Sequence, residues 1–347
     1  MLRAYWKPLL LWPLAILSTL VFAGWVWWSG LDFSHGGGNP AATRADLPWL
    51  RSTAPRGRIL AVVTSASRTL DGSTKVGYEL TELSRAWWVF EAAGFAVDLA
   101  SPEGGAPPQV LDDGLVDADY AFLNDPQTGA AMTQSLRLDQ VDPADYVGVY
   151  VVGGKGVQID LYRHPALQRI LAEVYGRGGV IAAVCHGPAA LLDVALGDGR
   201  TLLGGRRVTG FSNAEELFLM ENPIQKLGFL LEDALDAEGE FVEATQYLEH
   251  VVADGRVITG QNPWSTWALA EQTVRLLGAT PAARPRSPEE HAVDLLLVHA
   301  RQGAAAAFAA KERLDAVDNR LLVMHAVVAA MQGQYRRTWE LARLARH

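Results

Sequence analysis

Cysteine is almost absent from this sequence: Cys185 is the only one in 347 residues. A lone cysteine cannot form an internal disulfide, so its thiol is either an inert buried group or a reactive one. By local pattern alone, a cysteine at the end of an apolar run is more often a packing residue. Cysteine content alone therefore does not decide between a buried packing residue and a nucleophile.

Basic clusters and metal-binding spacings are also missing. The formal net charge is −9, and no run of Lys and Arg offers the positive surface that holds a phosphate backbone. The eight histidines form no His-x-His or His-Glu-x-x-His pattern, the kind of spacing that binds zinc. We therefore expect no nucleic-acid partner and no metal site.

Charge is absent from residues 8–30, and about 20 apolar residues suffice to cross a bilayer. This run predicts an N-terminal transmembrane helix within residues 1–33. Arg3 and Lys7 precede it and Asp32 follows it, which places the remaining chain on the extracytoplasmic, periplasmic side by the positive-inside rule. We therefore expect a single-pass membrane protein. A cleaved secretory signal is the main alternative, and a buried helix is a weaker one.

The rest of the chain divides by composition. Residues 34–57 are rich in Gly, Pro, Ala and Arg, which predicts a linker. Residues 58–279 alternate β-branched apolar runs with amphipathic stretches, which predicts an α/β domain with a doubly wound, mostly parallel sheet. Residues 280–347 begin with a second linker and continue as Ala-rich and Leu-rich segments. They predict a C-terminal helical extension used for packing or dimerisation, so a homodimer is left open.

Several local signals are specific enough to test. In "HVVADGRVITG", residues 250–260, an Asp-Gly turn between two apolar runs predicts a β-hairpin. Ser287 followed by Pro288 and Glu290 predicts a helix start with a capping box. Gly303 and Gly333 predict breaks between helices.

Cys185 lies between the apolar run "VIAAV" and the stretch "HGPAALL", which predicts a strand, a turn and a helix. Such an elbow lifts a nucleophile above the carboxyl end of a strand. A helix starting just beyond it would stabilise a thiolate, so we expect a lowered pKa for Cys185. The amide of His186 and the glycine turn at Gly153 and Gly154 are candidate oxyanion donors.

Six short motifs occur in order between residues 77 and 265: "GYELTELSRAWWVFEAAGFAVDLASPEGGAPP", "FLND", "DYVGVYVVGGKG", "VCHGPAALL", "VTGFSNAEE" and "DGRVITGQNPWS". In this order they resemble the DJ-1/PfpI superfamily, which has a flavodoxin-like, class I glutamine amidotransferase-like fold. Within the superfamily, the sequence is most similar to the branch of heat-shock chaperones and glyoxalase III.

The resemblance implies roles for individual residues. Cys185 matches the nucleophile, His186 its histidine, and Glu216 the acid that orients this histidine, as third members of such triads do. Glu82 matches the glutamate that hydrogen-bonds the cysteine sulfur. Gly154 matches the glycine whose amide contributes to the oxyanion hole.

Lys155 departs from the branch, which usually has Gly-Gly-His-Gly at this turn. A lysine is an ammonium ion near neutral pH unless its pKa is depressed, so it attracts an anion rather than transferring a proton. We expect Lys155 to contact the substrate together with Gly153 and Gly154, and the choice of substrate stays open.

The resemblance implies an enzyme that needs neither cofactor nor glutathione and converts a small reactive carbonyl, such as methylglyoxal, to lactate. The predicted anchor adds that this enzyme is exported and tethered to a membrane. The alternatives are a stress holdase or redox-sensing binding module, with an apolar surface on residues 295–310, and a peptidase-like or amidase-like hydrolase.

Overall fold

The computed structural model describes residues 27–51 and 53–347, which belong to two compact units. One unit is Gly37–Arg286. The other consists of Ser287–His347 and the described residues up to Gly36. Each unit has its own set of buried apolar side chains.

The strands of Gly37–Arg286 are β1 Gly57–Val62, β2 Tyr78–Glu79, β3 Phe95–Ser101, β4 Gln109–Val110, β5 Leu136–Arg137, β6 Gly148–Val151, β7 Val180–Val184, β8 Arg207–Val208, β9 Glu240–Phe241, β10 Val251–Asp254 and β11 Val257–Gly260. Seven of them form one sheet in the order β10-β11-β7-β6-β1-β3-β5. All neighbours in it are parallel except β10 and β11. The predicted mostly parallel sheet is therefore present.

The helices of the same unit are α1 Leu80–Ala92, α2 Asp117–Asn124, α3 Pro126–Thr133, α4 Val157–Asp160, α5 Pro165–Gly176, α6 Asn213–Leu219, α7 Pro223–Leu227, α8 Leu231–Glu238 and α9 Thr266–Leu276. Short 3-10 turns occur at Arg44–Asp46, Leu138–Gln140, Pro143–Asp145, Gly187–Leu191 and Pro263–Ser265.

Strands β6 and β7 are buried along their whole length, as expected of central parallel strands covered on both faces. The strand order reverses between β1 and β6, and ligands of such sheets bind beside the carboxyl ends of strands at this point. Gly153 follows β6 and Cys185 follows β7. The predicted hairpin at residues 250–260 is confirmed as the antiparallel pair β10–β11.

The two predicted linkers are partly packed into the α/β unit. Ala42 and Leu47 are buried, and the Nε atom of Arg44 lies 2.8 Å from Oδ2 of Asp125. Later in the chain, the guanidinium of Arg284 lies 3.8 Å from the ring centre of Trp267. Parts of both predicted linkers therefore pack against the α/β unit through arginine or apolar side chains.

The second unit is helical, and its helix boundaries follow the predicted signals. Ser287 and Glu290 form the capping box, with the Ser287 amide 2.8 Å from Oε2 of Glu290. Gly303 and Gly333 separate successive helices and have φ angles of +85° and +72°. These predictions are confirmed for α10 Pro288–Gln302, α11 Ala304–Lys311, α12 Asn319–Met331 and α13 Tyr335–Arg346.

The apolar surface that the holdase alternative placed on residues 295–310 is largely absent. Leu295, Leu296 and Ala307 are at most 1% exposed. Beyond residue 310, the large apolar side chains that this unit exposes include Met331 and Trp339.

The prediction of an N-terminal transmembrane helix over residues 1–33 is corrected. In the part of the chain that the structure describes, no helix combines the length and the apolar character needed to cross a bilayer. Residues 1–26 lie outside the described residues. Among residues 27–33, which the structure describes, the carbonyl of Asp32 accepts a hydrogen bond of 2.8 Å from the side-chain amide of Asn319 in the same helical unit. The membrane anchor and the extracytoplasmic location inferred from it are therefore withdrawn.

Candidate active site

Cys185 occupies a sharp elbow directly after β7. Its φ angle is +59°, a left-handed conformation that is strained for a residue with a Cβ atom. Two backbone hydrogen bonds hold it: its amide donates to the carbonyl of Gly260 at 2.9 Å, and its carbonyl accepts from the amide of Phe211 at 2.8 Å. The strand and its neighbours therefore determine where the thiol lies.

The helix predicted after the elbow is only a 3-10 turn of five residues, Gly187–Leu191. A turn this short has little of the dipole expected of an α-helix. Burial, and next the negative charge that Glu82 can carry, raise the pKa of the Cys185 thiol well above its usual value, while Lys155 acts in the opposite direction. The prediction of a lowered thiol pKa is therefore wrong.

On one side of the thiol, which we call the histidine side, His186 links Cys185 to Glu216. The Sγ atom of Cys185 lies 3.2 Å from Nδ1 of His186. The Nε2 atom of His186 lies 2.6 Å from Oε2 of Glu216. The imidazole also stacks on the ring of Phe211, with ring centres 4.7 Å apart. These contacts fix the orientation of the imidazole toward the sulfur.

Glu215, the residue before Glu216, positions the start of α6. Its carboxylate accepts hydrogen bonds from the amides of Ser212 at 3.0 Å and Tyr247 at 2.7 Å. It also accepts from the side chain of Asn262 at 3.0 Å. Since Glu215 is held by three separate segments, Glu216 is presented to His186 from a rigid first helical turn.

The pKa of Glu216 results from two opposing influences. Burial acts to raise it, but the positive charge of His186 and the hydrogen bond with that residue lower the pKa below its usual value. Glu216 is therefore ionised near neutral pH and can stabilise a protonated His186.

On the other side of the thiol, which we call the glutamate side, Glu82 is completely buried. Its Oε2 atom accepts a hydrogen bond of 2.7 Å from the Gly153 amide. Its Oε1 atom has no hydrogen-bond partner among the described residues. A Cβ atom on Gly153 would lie 2.3 Å from Oε2 of Glu82 and 2.7 Å from Cβ of Cys185. The glycine is thus required for the close approach of these two residues.

Burial raises the pKa of Glu82 well above its usual value, and the charges of Glu79 and Asp113 act in the same direction. Hydrogen bonds from the Cys185 thiol and the Gly153 amide oppose this effect without cancelling it. The shift favours the neutral carboxylic acid, which does not repel a thiolate at Cys185. Because Oε2 already accepts a bond from Gly153, the acid proton belongs on Oε1.

The glycine turn after β6 supplies the other predicted residues. Gly154 has a φ angle of +101° and approaches the carbonyl of Gly77 so closely that a Cβ atom would lie 2.3 Å from it. The Gly153 amide is engaged by Glu82. Within residues 27–51 and 53–347, the amides of Gly154 and His186 donate to no acceptor. These two amides are therefore the candidate oxyanion donors.

A cavity of about 280 Å³ opens above the thiol. Its lining includes Phe211, Met220, Tyr247 and Trp264 together with the carboxyl groups of several acidic residues. Lys155 reaches into it and lies 3.8 Å from Asp112, measured from Nζ to Oδ2. Its volume lies at the lower end of ligand pockets, so the cavity suits a molecule of a few heavy atoms.

The structure brings the residues singled out from the sequence to one place. Cys185, His186, Glu82, Gly154 and Lys155 line the cavity. Gly153 and Glu216 lie directly behind them and hydrogen-bond Glu82 and His186, respectively.

Three acidic groups of the cavity were not predicted: Glu79, Asp112 and Asp113. Glu79 precedes Glu82 by three residues, a spacing that places two side chains on one face of a helix, and this signal could have identified it. The aspartates follow β4, and only the pairing of β2 with β4 brings them to the site. Sequence spacing offers no signal for that contact.

An α/β sheet with a cysteine on a strained elbow, beside a histidine held by a carboxylate, defines the class of cysteine-dependent α/β enzymes. Residues 74–276 match the DJ-1/PfpI family. This is more than half of the chain, which therefore belongs to the DJ-1/PfpI family, as its motifs predicted.

Curated relatives specify the branch. The chain is 32% identical over 234 residues to glyoxalase 3 of Candida albicans, covering 62% of this chain and 97% of the relative. It is 30% identical over 243 residues to the glutathione-independent glyoxalase hsp3101 of Schizosaccharomyces pombe, covering 64% and 97%. The predicted kinship with the glyoxalase III branch is confirmed.

Solved structures agree with this placement. Glyoxalase III from Candida albicans has a TM-score of 0.59 at 28% identity, with 65% of this chain and 98% of that one covered. The rapid encystment protein of Francisella tularensis has the same TM-score at 29% identity, with 64% and 99% covered. The likeness concerns the α/β unit, since about a third of this chain has no counterpart in either structure.

Proposed function

We propose that this protein is a glutathione-independent glyoxalase that converts methylglyoxal and water to lactate, with Cys185 as nucleophile. One relative of the chain is named glyoxalase 3, and another is named a glutathione-independent glyoxalase. The cavity of about 280 Å³ above the thiol accommodates such a small substrate. The single observation that carries the proposal is the contact of the Cys185 thiol with two groups: a base, His186, 3.2 Å away, and an acid, Glu82, which the thiol hydrogen-bonds.

In the first step, the Cys185 sulfur forms a bond with the aldehyde carbon. The thiol proton passes to Nδ1 of His186, where the charge is stabilised by Glu216. The carbonyl electron pair moves to the aldehyde oxygen, which takes the proton from Oε1 of Glu82. The amides of Gly154 and His186 stabilise the negative charge developing on this oxygen. The product is a neutral hemithioacetal, with Glu82 now a carboxylate.

In the second step, the Glu82 carboxylate removes the hydrogen of the former aldehyde carbon. The electron pair left behind forms a double bond to the neighbouring carbon, and the ketone oxygen becomes a hydroxyl with the proton held by His186. Glu82 then gives this proton to the second carbon and takes the proton of the first hydroxyl, so that a thioester of lactate forms and Glu82 is again a neutral acid. Water cleaves the C–S bond, releasing lactate with one proton and restoring the thiol.

The raised pKa of Glu82 suits this cycle, because a carboxyl that starts neutral serves first as acid and then as base. A carboxylate at the same position would repel the attacking thiolate. The buried Oε1 atom of Glu82, which has no partner among the described residues, is free to bond the substrate.

The test is to incubate the full-length protein with methylglyoxal in the absence of glutathione and to follow lactate formation. We expect turnover by the unmodified protein and none above background for Cys185→Ala. Since Cys185 is the sole cysteine, prior alkylation with iodoacetamide should abolish activity equally. Absence of lactate with the unmodified protein, or undiminished activity of Cys185→Ala, would overturn the proposal.

A further inference from the structure

Glu79 is a second buried glutamate in the wall of the cavity. It is the last residue of β2 and the residue before α1, so it lies one helical turn ahead of Glu82. Its amide donates to the carbonyl of Gly153 at 3.3 Å, the same glycine whose amide bonds Glu82. The two glutamates are therefore fixed beside one turn, opposite Cys185.

The carboxyl group of Glu79 is only half satisfied. Its Oε2 atom accepts a hydrogen bond of 3.2 Å from the amide of Asp112. Its Oε1 atom is buried without a hydrogen-bond partner among the residues that the structure describes. The whole residue is 4% exposed. A buried polar atom without a partner costs free energy, which a ligand that bonds it would recover.

The charges around Glu79 favour its neutral form. Burial, and next the charge of Asp113, raise the pKa of Glu79 to about 8. Burial likewise raises the pKa of Asp113 to about 6. The titratable groups that line the cavity with Glu79 are Lys75, Glu82, Asp112, Asp113, Lys155, Cys185, His186 and Tyr247.

We propose that Glu79 donates a hydrogen bond from Oε1 to the second oxygen of the substrate, the ketone oxygen of a 2-oxoaldehyde. The inference rests on the proposed function and adds a substrate-positioning contact to it. Because Oε2 accepts from the Asp112 amide, a proton on the carboxyl belongs on Oε1, which faces no protein acceptor. A simple aldehyde has no oxygen at this position, so the contact selects for dicarbonyl compounds.

The contact also supports the second chemical step. When Glu82 removes the hydrogen from the first carbon, negative charge develops on the ketone oxygen. A hydrogen bond from Glu79 stabilises that charge without transferring the proton, so the balance of the reaction is unchanged. Loss of one such donor typically lowers kcat about 10²-fold to 10³-fold.

The experiment compares pH profiles of kcat/KM for methylglyoxal in the unmodified protein, Glu79→Gln and Glu79→Leu. The unmodified protein should lose activity as pH rises through about 8, because Glu79 then gives up its proton. Glu79→Gln keeps a neutral donor and the bond to Asp112, so we expect activity within a few-fold at neutral pH and no loss near pH 8. Glu79→Leu has no donor, and its kcat should fall about 10²-fold.

Asp113→Asn is the matched control, since it makes the same chemical change in the same wall. Removal of the Asp113 charge lowers the pKa of Glu79, so the alkaline loss should move to lower pH rather than disappear. The proposal is overturned if Glu79→Gln retains the loss near pH 8, or if Glu79→Leu, shown to be folded by its thermal melt, remains fully active. Failure of the unmodified protein to turn over methylglyoxal would instead reject the proposed function and this inference with it.

Discussion

The two sides of Cys185 hold the same residue type in opposite ionisation states. On the glutamate side, no positive partner offsets the burial of Glu82, which raises its pKa and favours its neutral form. On the histidine side, Glu216 is also buried, but its pairing with His186, 2.6 Å away, lowers its pKa and keeps it ionised. Because both glutamates are buried, their different pKa shifts come from the neighbouring groups and not from the extent of burial.

This difference assigns chemistry to the two sides. A neutral carboxyl can donate a proton to a substrate oxygen, whereas an ionised carboxylate can stabilise a protonated imidazole. A thiol between them has an acid on one side and a charge-stabilised base on the other. The raised pKa of Cys185 fits this arrangement, because His186 can accept the proton during the reaction instead of beforehand.

The largest expected losses of kcat come from replacing the carboxyl group of Glu82 or of Glu216 with an amide. Glu82→Gln keeps the shape but cannot transfer a proton, so kcat should fall about 10²-fold to 10⁴-fold. Glu216→Gln removes the charge behind His186 and favours the wrong imidazole tautomer, so kcat should fall by as much as about 10⁴-fold. Steady-state kinetics with methylglyoxal measures both.

The control for these variants is Glu91→Gln, the same change on the same helix as Glu82 but outside the cavity. It should leave kcat unaltered. Alkylation of Cys185 by iodoacetamide should still go to completion in Glu82→Gln, since the thiol is still present. An undiminished kcat in either Glu82→Gln or Glu216→Gln would contradict the role assigned to that side of the thiol.

A smaller effect is expected at Lys155, whose charge lowers the pKa of Cys185 and of Glu216. Its side chain is 24% exposed, and solvent screens such a charge. Lys155→Met should therefore slow alkylation of Cys185 near neutral pH by only a few-fold, and added salt should reduce the difference. Lys75→Met removes another lysine of the same cavity and is the matched control. An equal effect of both variants would contradict a specific role for Lys155.

Much of the α/β unit could be predicted from the sequence, because its signals are local. Strand β7 is a continuous apolar run, and the hairpin β10–β11 has its own Asp-Gly turn. The histidine side could also be predicted from the sequence, since Cys185 and His186 are adjacent and the motif "NAEE" contains Glu216.

What sequence reasoning missed depends on contacts between distant segments. The ionisation of Cys185 was predicted from a helix dipole, but burial and the approach of Glu82 across Gly153 decide it. Asp112 reaches Glu79 only through the pairing of β2 with β4. The transmembrane prediction relied on composition alone, which cannot report what the described residues do in three dimensions.

The most direct test of the opposite ionisation states is infrared difference spectroscopy of the carboxyl groups at neutral pH. The spectrum of the unmodified protein minus that of Glu82→Gln should contain the C=O band of a protonated carboxylic acid. The corresponding difference with Glu216→Gln should contain only the bands of an ionised carboxylate. A carboxylate signal for Glu82, or a protonated-acid signal for Glu216, would contradict the account.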